Sequence, residues 1–236
     1  MCAAETVLNG RSHPLAGKAK ILLVGPPGAG KGTLSKNLCS LQLDHVSSGE
    51  LFRQQVRSAT PLGRRLKQSL SEGYLVPDGL TLELMRKWYF GRKTRSGFIL
   101  DGFPRTLPQA LAFDEWLEAR GEKLDAVIAL HLEEDEAVRR ISRRRVCPRD
   151  GEVYHLDFRP PAKPGLCDLC GTTLVERSDD QGSVVRDRFR IYHRHTAPII
   201  DHYRAFGLLV EINANRPASV VAEAILEQLE SFLSVR

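Results

Sequence analysis

The sequence predicts an α/β fold, one parallel sheet flanked by helices and interrupted by two insertions, and three observations predict it. Short apolar runs at 21–24, 98–100, 126–132 and 208–212 alternate with longer stretches of helical spacing, the pattern of βαβ units around a parallel sheet. The first run stops at a glycine cluster that opens a helical stretch, as a buried strand does when it feeds a tight turn. Two segments break the alternation: 47–76 is polar, charged and helical in flavour, and 143–180 is rich in Pro, Gly and Asp, so it makes turns rather than long elements.

The bulk numbers agree with one core carrying insertions. The chain has 236 residues, 42% hydrophobic and 27% charged, enough apolar material for a real core. No apolar run approaches the roughly 20 residues of a membrane span. Residues 1–19 lack the apolar stretch of a secretory signal and carry Glu5 with Arg11 as their only arginine. They read as an N-terminal extension of a cytoplasmic protein, with an organellar destination left open. A net charge of +5 admits any polyanion as partner, a nucleic acid or a nucleoside triphosphate alike. Three of the five cysteines fall within 147–170, and Cys2 and Cys39 stand alone. An odd count of this kind suits a reducing compartment rather than a disulfide scaffold.

Taken in order, the run 21–24 leads into Val24-Gly25-Pro26-Pro27-Gly28-Ala29-Gly30-Lys31-Gly32-Thr33. Strand, glycine-rich turn and helix in that order make a nest of backbone N–H groups at a helix N-terminus, where anions are favoured. A side chain at Gly28 or Gly30 would block close approach of backbone to phosphate, and Lys31 supplies charge for the outer phosphates. Leu34, Leu38 and Leu41 follow at helical spacing. Ser48, at the start of the polar stretch, fits a helix cap as readily as a binding role. The run 98–100 ends on Asp101, the geometry that directs a carboxylate toward magnesium. Arg140 and Arg144 precede the second insertion, and Arg177, Arg186 and Arg188 follow it. An arginine run is ordinarily a solvated helix face, but this one flanks an insertion on both sides, as a closing lid requires. Within that insertion Cys147, Asp150, Cys167 and Cys170 have the C-x2-C spacing of a structural zinc site with one cysteine replaced by a carboxylate, itself an accepted zinc ligand. Sixteen residues separate Asp150 from Cys167. A lapsed metal site with three free thiols is the competing reading, and His155 is a spare ligand or a packing residue. Val221, Ile225, Leu229, Phe232 and Leu233 make the apolar stripe of a C-terminal helix.

The loop departs from the general phosphate-binding template in having Gly32, not Ser or Thr, after the lysine. Its form, G-x-P-G-x-G-K-G-T, resembles that of adenylate kinases and related nucleoside monophosphate kinases. Ser47-Ser48-Gly49-Glu50-Leu51-Phe52-Arg53 is similar to the family's monophosphate segment, with Glu50 where Asp is usual. Gly73-Tyr74-Leu75-Val76-Pro77-Asp78 resembles the backbone segment that lies against the acceptor adenine. Asp101-Gly102-Phe103-Pro104-Arg105-Thr106 with Gln109, and the arginines and aromatic residues around the second insertion, resemble the family in the same order. The likeness runs from about Lys20 onward and is closest to the long-lid adenylate kinases.

The resemblance implies a P-loop NTPase core with a five-stranded parallel sheet flanked by helices, formed by 20–46, 77–142 and 181–236. It adds a helical monophosphate-binding insertion at 47–76 and a lid at 143–180. It implies reversible, magnesium-dependent phosphoryl transfer from ATP to AMP, giving two ADP. ATP would meet Gly28, Ala29, Gly30, Lys31, Gly32, Thr33, Arg140 and Arg144, and AMP would meet Ser48, Arg53, Leu75, Val76, Gly102, Arg105, Gln109, Arg177 and Arg188. Lys31, Arg105, Arg144, Arg177 and Arg188 would carry catalysis, Asp101 would hold magnesium through water, and Asp179 would orient lid arginines or form a plain salt bridge. Structural zinc would sit in the Cys147, Asp150, Cys167, Cys170 set. A monomer with nucleotide partners, and no nucleic acid or membrane, is expected. Another monophosphate kinase, or a GTP-dependent AMP kinase, is the alternative. A nucleotide-regulated zinc-ribbon that binds nucleic acid is a more remote one.

Overall fold

A computed structural model describes residues 17–92 and 96–234, so most of the expected N-terminal extension lies outside the described residues. Strands β1 (Lys20–Val24), β2 (Asp44–Ser47), β3 (Phe98–Asp101) and β4 (Ala126–His131) belong to the main sheet. A hairpin, β5 (Arg144–Val146) and β6 (Val153–His155), stands apart from it, and β7 (Leu209–Asn213) completes it. The order is β2-β3-β1-β4-β7, all parallel. Four of these strands are the apolar runs read from the sequence. The fifth, β2, is an edge strand of which only Val46 is buried, so it carries no apolar run to announce it.

Alternation along each strand divides the core into two faces. Ile21 and Leu23 pack with Leu34, Leu38, Leu41 and Ile128 on one face, joined by Val221, Ile225 and Leu229. Leu34, Leu38 and Leu41 run from α1 (Lys31–Asn37) into a short 3-10 turn, and Val221, Ile225 and Leu229 form the inner stripe of α9 (Ala218–Ser234). Leu22, Val24, Phe98 and Leu100 face the other way, against Met85, Tyr89, Phe113 and Tyr203. Those residues lie on α4 (Asp78–Gly91), α5 (Leu107–Ala119) and α8 (Ala197–Ala205). Each fully buried aliphatic or aromatic side chain of this kind contributes about 1.5–3 kcal/mol, which is why the sheet forms the rigid base of the molecule.

The polar stretch after β2 folds into α2 (Ser48–Arg57) and α3 (Pro61–Ser71) around a small core of Phe52, Leu66 and Val76. Ser47, not Ser48, caps α2 by accepting from the Glu50 N–H at 3.4 Å, and Thr60 caps α3 by accepting from Gly63 N–H at 2.9 Å. The two helices meet backbone to backbone at Gly63, where a Cβ would lie 2.0 Å from the Gln55 carbonyl oxygen.

After α6 (Glu134–Ser142) the chain makes the β5–β6 hairpin, antiparallel over Arg144–Val146. This region has its own core of Cys147, Tyr154, Cys167 and Leu174. It returns to the main body through α7 (Gly182–Ile191), and a π-helical segment, Tyr192–Thr196, links α7 to α8. Among the described residues no helix is long and apolar enough to cross a membrane.

Candidate active site

The carboxyl ends of β1 and β3 define the site. β1 stops at Val24 and the loop turns through Gly28 and Gly30, both at φ +80°, a conformation that favours glycine. A Cβ on Gly28 would also meet Ala137 Cα and its carbonyl oxygen at 3.0 Å. The Lys31 ammonium donates to the carbonyls of Gly25 at 2.8 Å and Pro26 at 2.9 Å, so it closes over its own loop. Desolvation lowers its pKa to about 8; Asp101 opposes that effect, and Arg105, Arg188 and Arg144 add to it. Asp101 pairs in register with Leu23, and its Oδ2 lies 3.8 Å from where a Cβ on Gly32 would stand. The carboxylate therefore overlooks the start of α1.

Beside this loop, a hollow is lined by Arg53, Leu75, Val76, Gly102, Arg105 and Gln109. Ser48 Oγ donates to the Gly102 carbonyl at 2.6 Å and Arg105 Nε donates to the same oxygen at 2.8 Å. Burial pulls the Arg105 pKa down, with Asp101 opposing and Arg53 reinforcing. Arg53 Nε is held by Glu50 at 3.2 Å, and Glu50 also pairs with Arg57. Glu50, the departure noted in the sequence, thus orients an arginine at the edge of this hollow. It also faces the second insertion: a Cβ on Gly151 would lie 3.4 Å from Glu50 Oε1.

Three further arginines follow, of which Arg188 lines both the loop side and the hollow. Burial works against the Arg144 charge, but its hydrogen bonds to Asp180 together with the charges of Asp180 and Asp179 outweigh it and hold its pKa above the ordinary value. Arg188 donates to the Asp179 carboxylate at 2.8 Å and its carbonyl at 3.0 Å, with Asp180 at 3.9 Å. Burial lowers Arg188 to about 10 and Arg177 to about 9, the latter with Arg53 and Arg144 adding to the effect. Lys31 therefore feels Arg105, Arg144 and Arg188, and Arg177 joins this set through Arg144 and Arg53. Arg140 lies outside that group, on α6, paired with Glu136 at 2.6 Å and donating to the Arg216 carbonyl at 3.2 Å. Arg186 is turned to the surface against Glu134 at 3.2 Å.

The cysteine segment forms two matching turns. Cys147 N–H donates to the Glu152 carbonyl and Gly151 N–H returns to the Cys147 carbonyl; Cys167 with Thr172, and Gly171 with Cys167, repeat the pattern at 2.8–3.0 Å. Gly151 at φ +82° and Gly171 at φ +70° complete each turn. Asp150 thus occupies in the first turn the place of Cys170 in the second. Ligand atoms of Cys147, Asp150, Cys167 and Cys170 all lie within 4.8 Å of one another, with Cys147 Sγ 3.5 Å from Cys170 Sγ and Cys167 Sγ 3.1 Å from Asp150 Oδ2. Sulfurs around a tetrahedral zinc stand about 3.8 Å apart, so the set fits the ion. His155 is not part of it; the ring stacks on Phe158 at 4.4 Å and Nδ1 accepts from the backbone of Asp157 and Phe158.

Comparison with known proteins decides the family. The model described as "Adenylate kinase" matches residues 23–208. The adenylate kinase of Moorella thermoacetica is 44% identical over 207 residues, 87% of this chain and 95% of that protein. That of Streptomyces avermitilis is 45% identical over 213 residues, covering 89% and 97%. The chain belongs to the adenylate kinase family.

An adenylate kinase moves a phosphoryl group reversibly from magnesium ATP to AMP, giving two ADP, and is a phosphotransferase. It must bring two polyanions together, which is why cations dominate the site and no nucleophile with a base is needed. Sequence reasoning passed over two residues that hold these arginines. Asp180, with a fully buried carboxylate, anchors Arg144, and the doublet Asp179-Asp180 beside Arg177 was the available signal. Thr196 donates to the Arg105 carbonyl at 2.8 Å from the π-helical segment; nothing in the local sequence marks it.

Proposed function

We propose that the cations divide between the two nucleotides as the family resemblance implies. The loop N–H groups of Gly28, Ala29, Gly30, Gly32 and Thr33, with Lys31, hold the ATP phosphates, and Arg140 packs on the donor base. Arg53 and Arg105 hold the AMP phosphate, with Ser48, Leu75, Val76, Gly102 and Gln109 around the acceptor nucleoside. Arg144, Arg177 and Arg188 close on the phosphoryl group in flight, and Asp101 holds magnesium through water. Guanidinium forks suit this work because each can engage two phosphate oxygens. The observation that carries the reading is the placing of Lys31, Arg105 and Arg188 around the phosphate loop and of Arg53, Arg105 and Arg188 around the hollow beside it. The segments 47–76 and 143–180 act as covers that close over the nucleotides and exclude water, a competing acceptor. Gathering of the cations into a cleft, rather than along a surface with interleaved aromatics, speaks against a nucleic-acid partner. A cytoplasmic monomer with ATP as donor completes the reading.

Arg53→Ala tests the division of labour. Loss of a charge-assisted pair should raise KM for AMP by roughly 10- to 100-fold and leave KM for ATP within about twofold. Equal increases in both constants overturn the assignment.

Zinc, bound by Cys147, Asp150, Cys167 and Cys170, would be structural, since all four ligands are protein atoms and none is left for water. Protein prepared in metal-free buffer is expected to retain about one zinc per chain by elemental analysis. Asp150→Ala should lose most of it and melt several degrees lower. A parent protein without zinc sinks the proposal.

A further inference from the structure

Gln109 lies in the first turn of α5 and is 1% exposed. Its Oε1 accepts from the Arg105 N–H at 2.8 Å, and its Nε2 donates to Asp78 Oδ1 at 2.7 Å. Asp78 opens α4, and the Thr106 hydroxyl donates to the same carboxylate, 3.1 Å from either oxygen. Thr106 in turn caps α5, accepting from the Gln109 N–H at 3.3 Å. Two helix starts and one amide are thereby tied together. A carboxylate in the first turn of a helix favours the dipole; that accounts for an acid at position 78 but not for its grip on Gln109.

A glutamine amide has nearly the same shape either way round, and its neighbours decide which end is nitrogen. Reversal here would set N–H against the Arg105 N–H and turn the carbonyl oxygen toward the Asp78 carboxylate. Both contacts would be repulsive. The amide is therefore locked, with one N–H donor and one oxygen lone pair left over in a fixed order. Adenine offers an exocyclic amino donor beside a ring-nitrogen acceptor, which a glutamine amide matches with two bonds. Hypoxanthine and guanine carry a carbonyl oxygen in place of that amino group, so they demand the amide in the reversed orientation.

We propose that Asp78 is a specificity-positioning residue: by fixing the orientation of the Gln109 amide, it makes the acceptor site accept adenine and refuse 6-oxopurines. The proposal rests on the reading that Gln109 faces the acceptor base. Arg105 N–H supplies half of the lock and cannot be removed by mutation, so Asp78 is the half open to test.

The experiment compares kcat/KM for AMP and for IMP, with saturating ATP, in the parent, Asp78→Asn, Asp78→Ala and Gln109→Ala. Asp78→Asn keeps a hydrogen-bonding tie between α4 and α5, but its amide can accept or donate and so no longer selects an orientation. The ratio of AMP to IMP should fall about tenfold in Asp78→Asn and Asp78→Ala alike, the factor a single charge-assisted hydrogen bond carries, with the fall in Asp78→Asn occurring at near-parental melting temperature. A purely structural tie predicts otherwise: a changed melting point in Asp78→Ala and an unchanged ratio in Asp78→Asn, which overturns the proposal. Gln109→Ala separates the two levels. If its ratio falls while both Asp78 variants keep theirs, the Asp78 role alone is wrong. If its ratio is unchanged, Gln109 does not read the base and the underlying assignment fails with it.

Discussion

Arg188→Ala is expected to lower kcat for ADP formation from ATP and AMP by about 10³-fold or more, the scale seen for arginines that stabilise a transferring phosphoryl group. Arg188 borders both the loop around Lys31 and the hollow around Gln109. Its guanidinium is held on one side by the Asp179 carboxylate at 2.8 Å and the Asp179 carbonyl at 3.0 Å. Burial lowers its pKa to about 10, so it stays charged at neutral pH. Charge that is pre-oriented between two substrates acts most strongly where negative charge is redistributed between them, and that moment is the transition state. The loss should therefore fall on kcat more than on either KM. Arg188→Lys keeps a charge without the planar fork and should recover only part of the rate. Steady-state kinetics with both nucleotides varied checks this; a loss smaller than tenfold in kcat removes Arg188 from the chemistry.

Gly63→Ala is expected to destabilise the α2–α3 insertion by about 3 kcal/mol, the upper range for overpacking. Helix propensity alone would favour the change by about 1 kcal/mol, so the sign depends on space. A Cβ there would stand 2.0 Å from Gln55 O, 2.4 Å from its carbonyl carbon and 2.8 Å from Val56 N. These are backbone atoms with no rotamer to retreat into. The helices must part, and the small core of Phe52, Leu66 and Val76 opens with them. Because that core is separate from the main sheet, the damage should be local: KM for AMP rises severalfold, KM for ATP changes little, and protection from hydrogen exchange drops first in 48–71. Parental AMP kinetics together with a parental melting temperature would contradict it.

Much of this molecule was legible in its sequence, for identifiable reasons. Central strands of a parallel sheet are buried on both faces and so read as apolar runs, which is how β1, β3 and β4 announce themselves, while β7, at the other edge, shows through Val210 and Ile212. The loop from Gly25 to Lys31 is legible because close approach to phosphate tolerates few residue types. By contrast, β2 is an edge strand with one buried residue, and Ser47 and Ser48 are chemically alike, so only the fold tells which one caps α2 and which one reaches Gly102. Asp180 and Asp78 act through arginine and glutamine partners that are 36 and 31 residues away along the chain. The sequence points to the arginines and to Asp179, which holds Arg188, but Asp180 and Asp78 orient partners far along the chain and leave no local pattern.

The π-helical segment Tyr192–Thr196 has a consequence for which changes in length the chain tolerates. Its backbone bond from the Ala197 N–H reaches back five residues to Tyr192, so the turn holds one residue more than an α-helix would. Deleting His193, Arg194 or His195 would remove that extra residue, and the ladder would close as an ordinary helix with α8 still in phase with α7. Ile199, Ile200 and Tyr203 would stay in the core, and Thr196, still next to Ala197, would keep its hydroxyl at the Arg105 carbonyl. Point substitutions at exposed positions such as His193 and Arg194 leave that phase intact. In this stretch the loss of one residue costs less than it would within α7 or α8, where it would turn everything beyond it by about 100°.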